Sequence, residues 1–344
     1  MGVPSTVMSE PELLAAARGG DEHAFRRLVE LHRRELHAHC YRMLGSLHDA
    51  EDALQDALLR AWRGLPRFEG RSSAGSWLYR IATNACLDAI ARRPKRVLPI
   101  DYGPPAQAGQ DGGDPLGDSL WVEPYPDVQL GVEDGYASPD ARYERREAVE
   151  LAFIAALQHL PARQRAVLIL RDVLGFAAKE VAAMLDSTAV SVNSALQRAR
   201  RTLDERLPET SQQATLRTLG DEAVRELVER FTSAFERDDV DAIVALLSED
   251  AKFAMPPYAR WYKGREAIAG SWLMPGGPAP RLRYLATSAN GQPALATYRL
   301  EPETGRFAPI ALDVLTLRGD DIAEVFAFRS PGLFPRFGLP AELN

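Results

Sequence analysis

LPARQRAVLILRDVLGFAAKEVAAMLDSTAVSVNSALQRARRTL, residues 160–203, breaks into two helical runs around the turn Asp186-Ser187-Thr188. In the second run Val192, Leu196, Ala199 and Leu203 recur at steps of three and four and mark a buried stripe. Ser191, Asn193, Ser194, Gln197, Arg198 and Arg201 fall off that stripe. Two helices joined by so short a turn make a helix-turn-helix.

Outward from this motif, residues 11–96 also read as helix. The clearest run is DAEDALQDALLRAWRGL, residues 49–65, with an apolar stripe of Ala53, Leu54, Ala57, Leu58, Ala61, Trp62 and Leu65. Its other face carries Asp49, Glu51, Asp52, Gln55, Asp56, Arg60 and Arg63, and Ser46 with Asp49 predicts an N-terminal cap. A second helix is expected over 76–93, stopped by Pro94. Residues 97–140 are rich in Pro, Gly and Asp and carry nine acids with no Lys or Arg. Such a composition predicts an extended linker, although Tyr102, Leu120, Trp121, Val122 and Tyr125 suggest that part of it docks. Residues 208–220 read as a polar tether. From 221 the pattern becomes α+β: residues 221–253 read as two helices and a short strand, and further strands are expected near 281–289, 293–300, 309–318 and 321–329, separated by turns such as Asn290-Gly291.

The composition, 46% hydrophobic and 26% charged, is that of a globular protein, and the length suits two or three domains. No apolar run approaches a membrane span, and MGVPSTVMSEPELLAAARGGDE lacks the pattern of a secretory signal. Two cysteines, Cys40 and Cys86, cannot staple a chain of 344 residues and fit a reducing cytoplasm. The net charge of −7 argues against a general nucleic-acid coat. Mildly basic blocks at 11–96 and 141–210 leave focal binding open. Five of the six histidines lie between His23 and His48 beside Cys40, but HAHC matches no zinc spacing, so surface helix positions are expected and no metal or cofactor.

The runs DAEDALQDALLRAWRGLPRF (49–68), GRSSAGSWLYRIATNACLDAIARR (70–93) and 160–203 together resemble the extracytoplasmic-function (ECF) group of bacterial sigma-70 factors. DDVDAIVALLSEDAKFAMPP, WYKGREAI and FPRFGLP resemble a SnoaL-like domain. The DGGGK-type motif of one tail-bearing subgroup is absent, which points to the other subgroup. The fold the resemblance implies is mainly α over the N-terminal two-thirds, as two helical sigma domains, the second with the helix-turn-helix. A C-terminal α+β cone on a curved mixed sheet follows. The expected divisions are 11–96 for sigma region 2, 97–140 for the linker, 141–207 for region 4, 208–220 for the tether and 221–332 for the tail.

The implied function is that of a cytoplasmic sigma factor directing core RNA polymerase to promoters. By that resemblance Asp49, Glu51, Asp52, Gln55 and Asp56 meet the polymerase β′ clamp helices, and region 4 meets the β flap. Phe68, Arg71, Ser72, Ser73, Trp77, Tyr79, Arg80 and Asn84 would handle the minus-ten element, where aromatic and basic side chains hold a melted strand. Ser191, Asn193, Ser194, Gln197 and Arg198 would read the minus-thirty-five element, with Arg200 and Arg201 on phosphates. Arg92, Arg93, Lys95 and Arg96 would add phosphate contacts. Whether an anti-sigma factor also binds is left open.

SnoaL-like folds include cyclases and isomerases. Residues 211–344 hold no histidine and no carboxylate pair, and Asp313 is the candidate inward acid. Tyr258, Trp261, Tyr262, Trp272, Tyr284 and Tyr298 read as core or pocket lining. The expectation is a non-catalytic tail acting in cis, through an intramolecular contact or a small ligand.

Overall fold

A computed structural model describes residues 8–107, 113–130, 146–272 and 281–344. Linker residues 131–140 and the Trp272 side chain lie outside the described residues. The chain forms two compact units, residues 1–93 with 157–205, and residues 94–156 with 206–344.

The first unit is helical: α1 Glu10–Arg18, α2 Glu22–Glu30, α3 Arg33–Leu44, α4 Leu47–Gly64 and α5 Ala74–Ile90. The Ser46 hydroxyl accepts from Asp49 N at 3.1 Å and starts α4 where the cap was expected. Ala50, Ala53, Leu54, Ala57 and Ala61 bury its stripe. Every residue of α3 from Leu36 to Leu44 is buried. This corrects the surface reading of two histidines: α3 packs against both α4 and α5, so His37 and His39 find no solvent face.

The His39 imidazole Nε2 lies 2.9 Å from Thr83 Oγ1, and Thr83 donates its own proton to Tyr79 O at 2.7 Å. Nε2 is therefore the protonated nitrogen. Burial, assisted by the Arg42 charge, lowers the His39 pKa to about 3. The unfolded chain, with an ordinary value near 6.5, takes up a proton that the folded unit refuses. The His39 contribution is thus complete above pH ~6.5 and is lost as pH falls toward 3. At pH 5 the loss amounts to about 2 kcal/mol. Melting the wild type and H39Q at pH 7 and pH 5 should show a smaller acid loss in the variant, and equal losses would refute the assignment.

The second part of this unit begins at the end of α7, Leu151–Gln158 (the short helix α6, Pro99–Tyr102, precedes it). It continues through α8 Ala162–Leu168, α9 Ala178–Met184 and α10 Ala189–Asp204. The helix-turn-helix is α9 and α10. Asp186 takes φ +48 in its turn, a left-handed conformation that Asp tolerates. Val192, Leu196, Ala199 and Leu203 are buried as the periodicity predicts.

The second unit is built on one six-stranded mixed sheet of order β2-β1-β6-β5-β4-β3. The strands are β1 Leu247–Ala254, β2 Trp261–Lys263, β3 Leu282–Ala289, β4 Gln292–Leu300, β5 Phe307–Arg318 and β6 Asp321–Phe328. Only the β1–β6 pair is parallel. Beside α6 and most of α7, its helices are α11 Gln212–Leu219, α12 Asp221–Glu236, α13 Val240–Ala245 and α14 Arg265–Trp272. Leu227 and Phe231 of α12 and Ile243 of α13 pack with Leu295, Leu315 and Val325 of the sheet in one core.

Two expectations need correction here. Residues 212–219, read as tether, form α11 with Gln212 and Gln213 buried. The described linker is packed in part: Trp121, Val122 and Tyr125, among the residues expected to dock, are at most 2% exposed, whereas Tyr102 is 52% exposed.

Candidate interaction surfaces

On α4, Asp52, Gln55 and Asp56 are exposed and Glu51 is half-buried. Asp49 is only 6% exposed and bonds the guanidinium of Arg93, which also reaches Asp52 at 3.5 Å. Asp49 is therefore an internal anion of the helix pair α4–α5 rather than part of the open face. Asp56 pairs with Arg60 at 2.7 Å, and Arg60 also bridges to Asp88 of α5. Leu59, 53% exposed, continues the line Asp52, Gln55, Asp56 at the helical step. Sequence reading passed over it because an isolated Leu beside an apolar stripe looks like core.

On the segment from Phe68 to Asn84, Arg71, Ser72, Ser73 and Arg80 are exposed, and Trp77 and Asn84 are half-buried. Phe68 is buried, with its ring 4.9 Å from that of Trp77, in the cluster that includes Leu13 and Leu28. Tyr79 is buried too, edge-on to Phe176 at 5.5 Å, and burial raises its pKa. Arg80 reaches Asp186 of the helix-turn-helix at 3.4 Å. Ser73 caps α5 by accepting from Ser76 N at 3.1 Å.

In the basic cluster, Arg96 departs from expectation. It is 6% exposed, donates to Trp121 O and lies 3.6 Å from Glu123, so it holds the linker instead of offering its charge to solvent.

On α10, Ser191, Asn193, Ser194, Gln197, Arg198 and Arg201 are all exposed. Thr188 caps the helix by accepting from Ser191 N at 3.1 Å. Arg200, expected on a phosphate, forms a fork with Asp172 at 2.7 and 2.8 Å, a geometry that occupies the guanidinium.

The second unit contains a buried polar latch that no motif announced. Asn290 and Gly291 form the β3–β4 turn with φ +58 and +69, as an Asn-Gly pair is built to do. The Asn290 amide also bonds two other segments. Its oxygen accepts from Tyr125 N at 2.8 Å, and its nitrogen donates to Val149 O at 2.7 Å. Gly291 N donates to Asp127 at 2.8 Å, and Leu151 N donates to Gln292 at 2.9 Å. Glu150 accepts from the backbone of Gln212 at 3.1 Å and of Gln213 at 2.7 Å. Burial pushes its pKa up to about 7 against those two bonds. The tail thus grips the linker and the start of α7 through one hairpin turn.

Inside the tail, the Asp313 carboxyl accepts from Thr297 at 2.6 Å, and burial raises its pKa to about 6. Such a carboxyl can exchange a proton near neutrality. Trp261, Tyr262 and Tyr298 are buried and Tyr258 is half-buried. Half-buried Tyr284 packs against the core, and burial raises its pKa. Among the described residues no group of His, Cys, Asp or Glu is placed to hold a metal ion. Nor is any described helix long and apolar enough to cross a membrane.

Family profiles match residues 28–96 as sigma-70 region 2, 150–203 as sigma-70 region 4 and 228–325 as a SnoaL-like domain. The ECF RNA polymerase sigma factor SigG of Mycobacterium tuberculosis is 43% identical over 96% of this chain and 86% of its own length. SigM of the same organism is 33% identical over 57% of this chain and 83% of its own length. The crystal structure of the M. tuberculosis sigma factor SigJ covers 91% of this chain and 98% of its own. Its TM-score is 0.55 at 20% identity, a likeness of fold.

Proposed function

The chain belongs to the ECF RNA polymerase sigma factors, and from that premise we propose a division of labour among its surfaces. Residues 11–96 dock on the β′ clamp helices of core RNA polymerase and handle the minus-ten element. Residues 141–207 dock on the β flap and read the minus-thirty-five element. Residues 221–332 act in cis, as a non-catalytic regulatory domain gripping the 97–140 linker. The site of action is the cytoplasm, where the polymerase is. The observation that carries this reading is α10, whose polar and basic residues share one exposed face while its apolar stripe is wholly buried.

On α4 the docking face is Asp52, Gln55, Asp56 and Leu59. Acids and amides suit a basic partner helix, where charge sets encounter rate and register. Reversing both acids, D52K with D56K, should lower affinity for core polymerase about tenfold, roughly 1.4 kcal/mol. The melting temperature should barely move, because exposed ion pairs contribute under ~1 kcal/mol each. Titration of labelled protein against purified core polymerase measures this, and unchanged affinity would remove α4 as the docking surface.

The minus-ten role is assigned to Arg71, Ser72, Ser73, Trp77, Arg80 and Asn84. Phe68 and Tyr79 support that surface from beneath. Contact of Tyr79 with Phe176 and of Arg80 with Asp186 covers part of it, so its use requires the helix-turn-helix to move away from α5.

A further inference from the structure

Val190 is 76% exposed, more than any other large apolar side chain among the described residues. It stands in the first turn of α10. Val190, Ser194, Gln197 and Arg201 are spaced four, three and four residues apart, so they form one line along the helix. That line runs opposite the buried stripe of Val192, Leu196, Ala199 and Leu203. Val190 is therefore central to the open face, at its N-terminal end.

A single exposed valine ordinarily needs no explanation. Here its surroundings select an occupant. From 190 to 201 the face holds Arg198 and Arg201 and no acid, and neither arginine pairs with an acid among the described residues. Arg200, the third cation of the turn, is held aside by Asp172. The face thus suits a polyanion, with its cations toward the C-terminal half. The first turn of a recognition helix is the part that meets base edges. The apolar feature on those edges is the thymine 5-methyl group. A β-branched side chain in a helix keeps essentially one rotamer, so its methyls are already placed and lose little entropy on contact.

We infer that Val190 is a specificity-determining residue that packs its methyl groups on the 5-methyl of one thymine in the minus-thirty-five duplex. This rests on the reading of α10 as the recognition helix.

The test uses the full chain bound to core polymerase. Duplexes randomised over the minus-thirty-five region are selected by this holoenzyme. Each thymine of the selected duplex is then replaced by deoxyuridine, which removes only the methyl. Wild type should lose about three- to fivefold in affinity at one position, the scale of one buried methyl group. V190A should bind the thymine duplex more weakly by a similar factor and ignore deoxyuridine at that position alone. A thymine-to-uracil ratio that is the same in wild type and V190A everywhere would overturn the inference while leaving α10 in place. Failure of the holoenzyme to select any sequence there would instead overturn the recognition-helix reading, and Val190 with it.

Discussion

Replacing Arg165 by methionine should destabilise the first unit by about 3–5 kcal/mol, the scale of stranding two or more buried acceptors. Arg165 is 5% exposed and, among the described residues, has no carboxylate partner. It donates instead to Met43 O, to the Gln158 side chain, to Gln158 O at 3.1 Å and to Leu160 O at 3.3 Å. Met43 lies in the last turn of α3, and Gln158 ends α7, so one side chain satisfies carbonyls at the termini of two helices. Burial lowers the Arg165 pKa to about 10, which still leaves it charged at neutral pH.

Methionine removes the cost of desolvating that charge. It also strands several buried acceptors, each worth about 1–3 kcal/mol when unsatisfied, and the second effect wins. Gly45 adds to the demand for close fit: it ends α3 at φ +68, and a Cβ there would meet the Gln158 side chain at 3.0 Å. Urea unfolding of R165M against wild type measures the change. R163A, at an exposed position two residues away, should stay within about 0.5 kcal/mol. A loss below 1 kcal/mol in R165M would show that the carbonyls find other partners. The functional consequence follows from place. Arg165 ties α3 to the segment leading into the helix-turn-helix, so loosening it should also uncover Tyr79 and Arg80.

The second large effect is expected from removing residues 211–344. Trp121, Val122, Tyr125 and Val149 are buried in the same unit as the tail. Without it the linker loses its hydrogen-bonding partners at Asn290, Gly291 and Trp261. Cleavage of the 97–130 segment by a broad protease should then accelerate at least a hundredfold, because cleavage follows the population of the open form. Run-off transcription from a cognate promoter should change while promoter selection persists.

A gentler variant locates the cause. N290G keeps the left-handed turn and deletes both side-chain amide bonds, of which the one to Tyr125 holds the linker, so it should free the linker by about 1–1.5 kcal/mol. N290A adds strain at φ +58 and should lose about 1 kcal/mol more. If deletion alters transcription and N290G does not, regulation does not pass through this latch. If neither alters it, the tail has no regulatory role at that promoter.

Much of the architecture was legible in the chain. The helix-turn-helix, the cap at Ser46, the β3–β4 turn and five of the six strands follow from rules that act within a few residues. The candidate surfaces were legible only as residue types. Asp49 and Asp52 are both acids on α4, yet Asp49 is turned inward onto Arg93, while Asp52 stays exposed. Phe68 and Tyr79 have the chemistry for stacking on bases and are core residues, and Arg200 and Arg96 are cations already engaged. Each outcome depends on a partner from another element, which local periodicity cannot see. The 97–140 segment was legible in part: its composition describes a chain without partners, while Trp121, Val122 and Tyr125, which pointed to docking, are buried among the described residues.

By itself, then, the sequence determined the order of the helical modules and the sheet domain, because helical and strand periods are written in neighbouring residues. It also supplied the residue types from which the polymerase and DNA surfaces are proposed. Only the tertiary structure decided which of those residues remain open and that the linker belongs to the tail. Burial and hydrogen-bond satisfaction join residues far apart in the chain, as Asn290 joins Tyr125 across 165 positions, and such pairs leave no period to read.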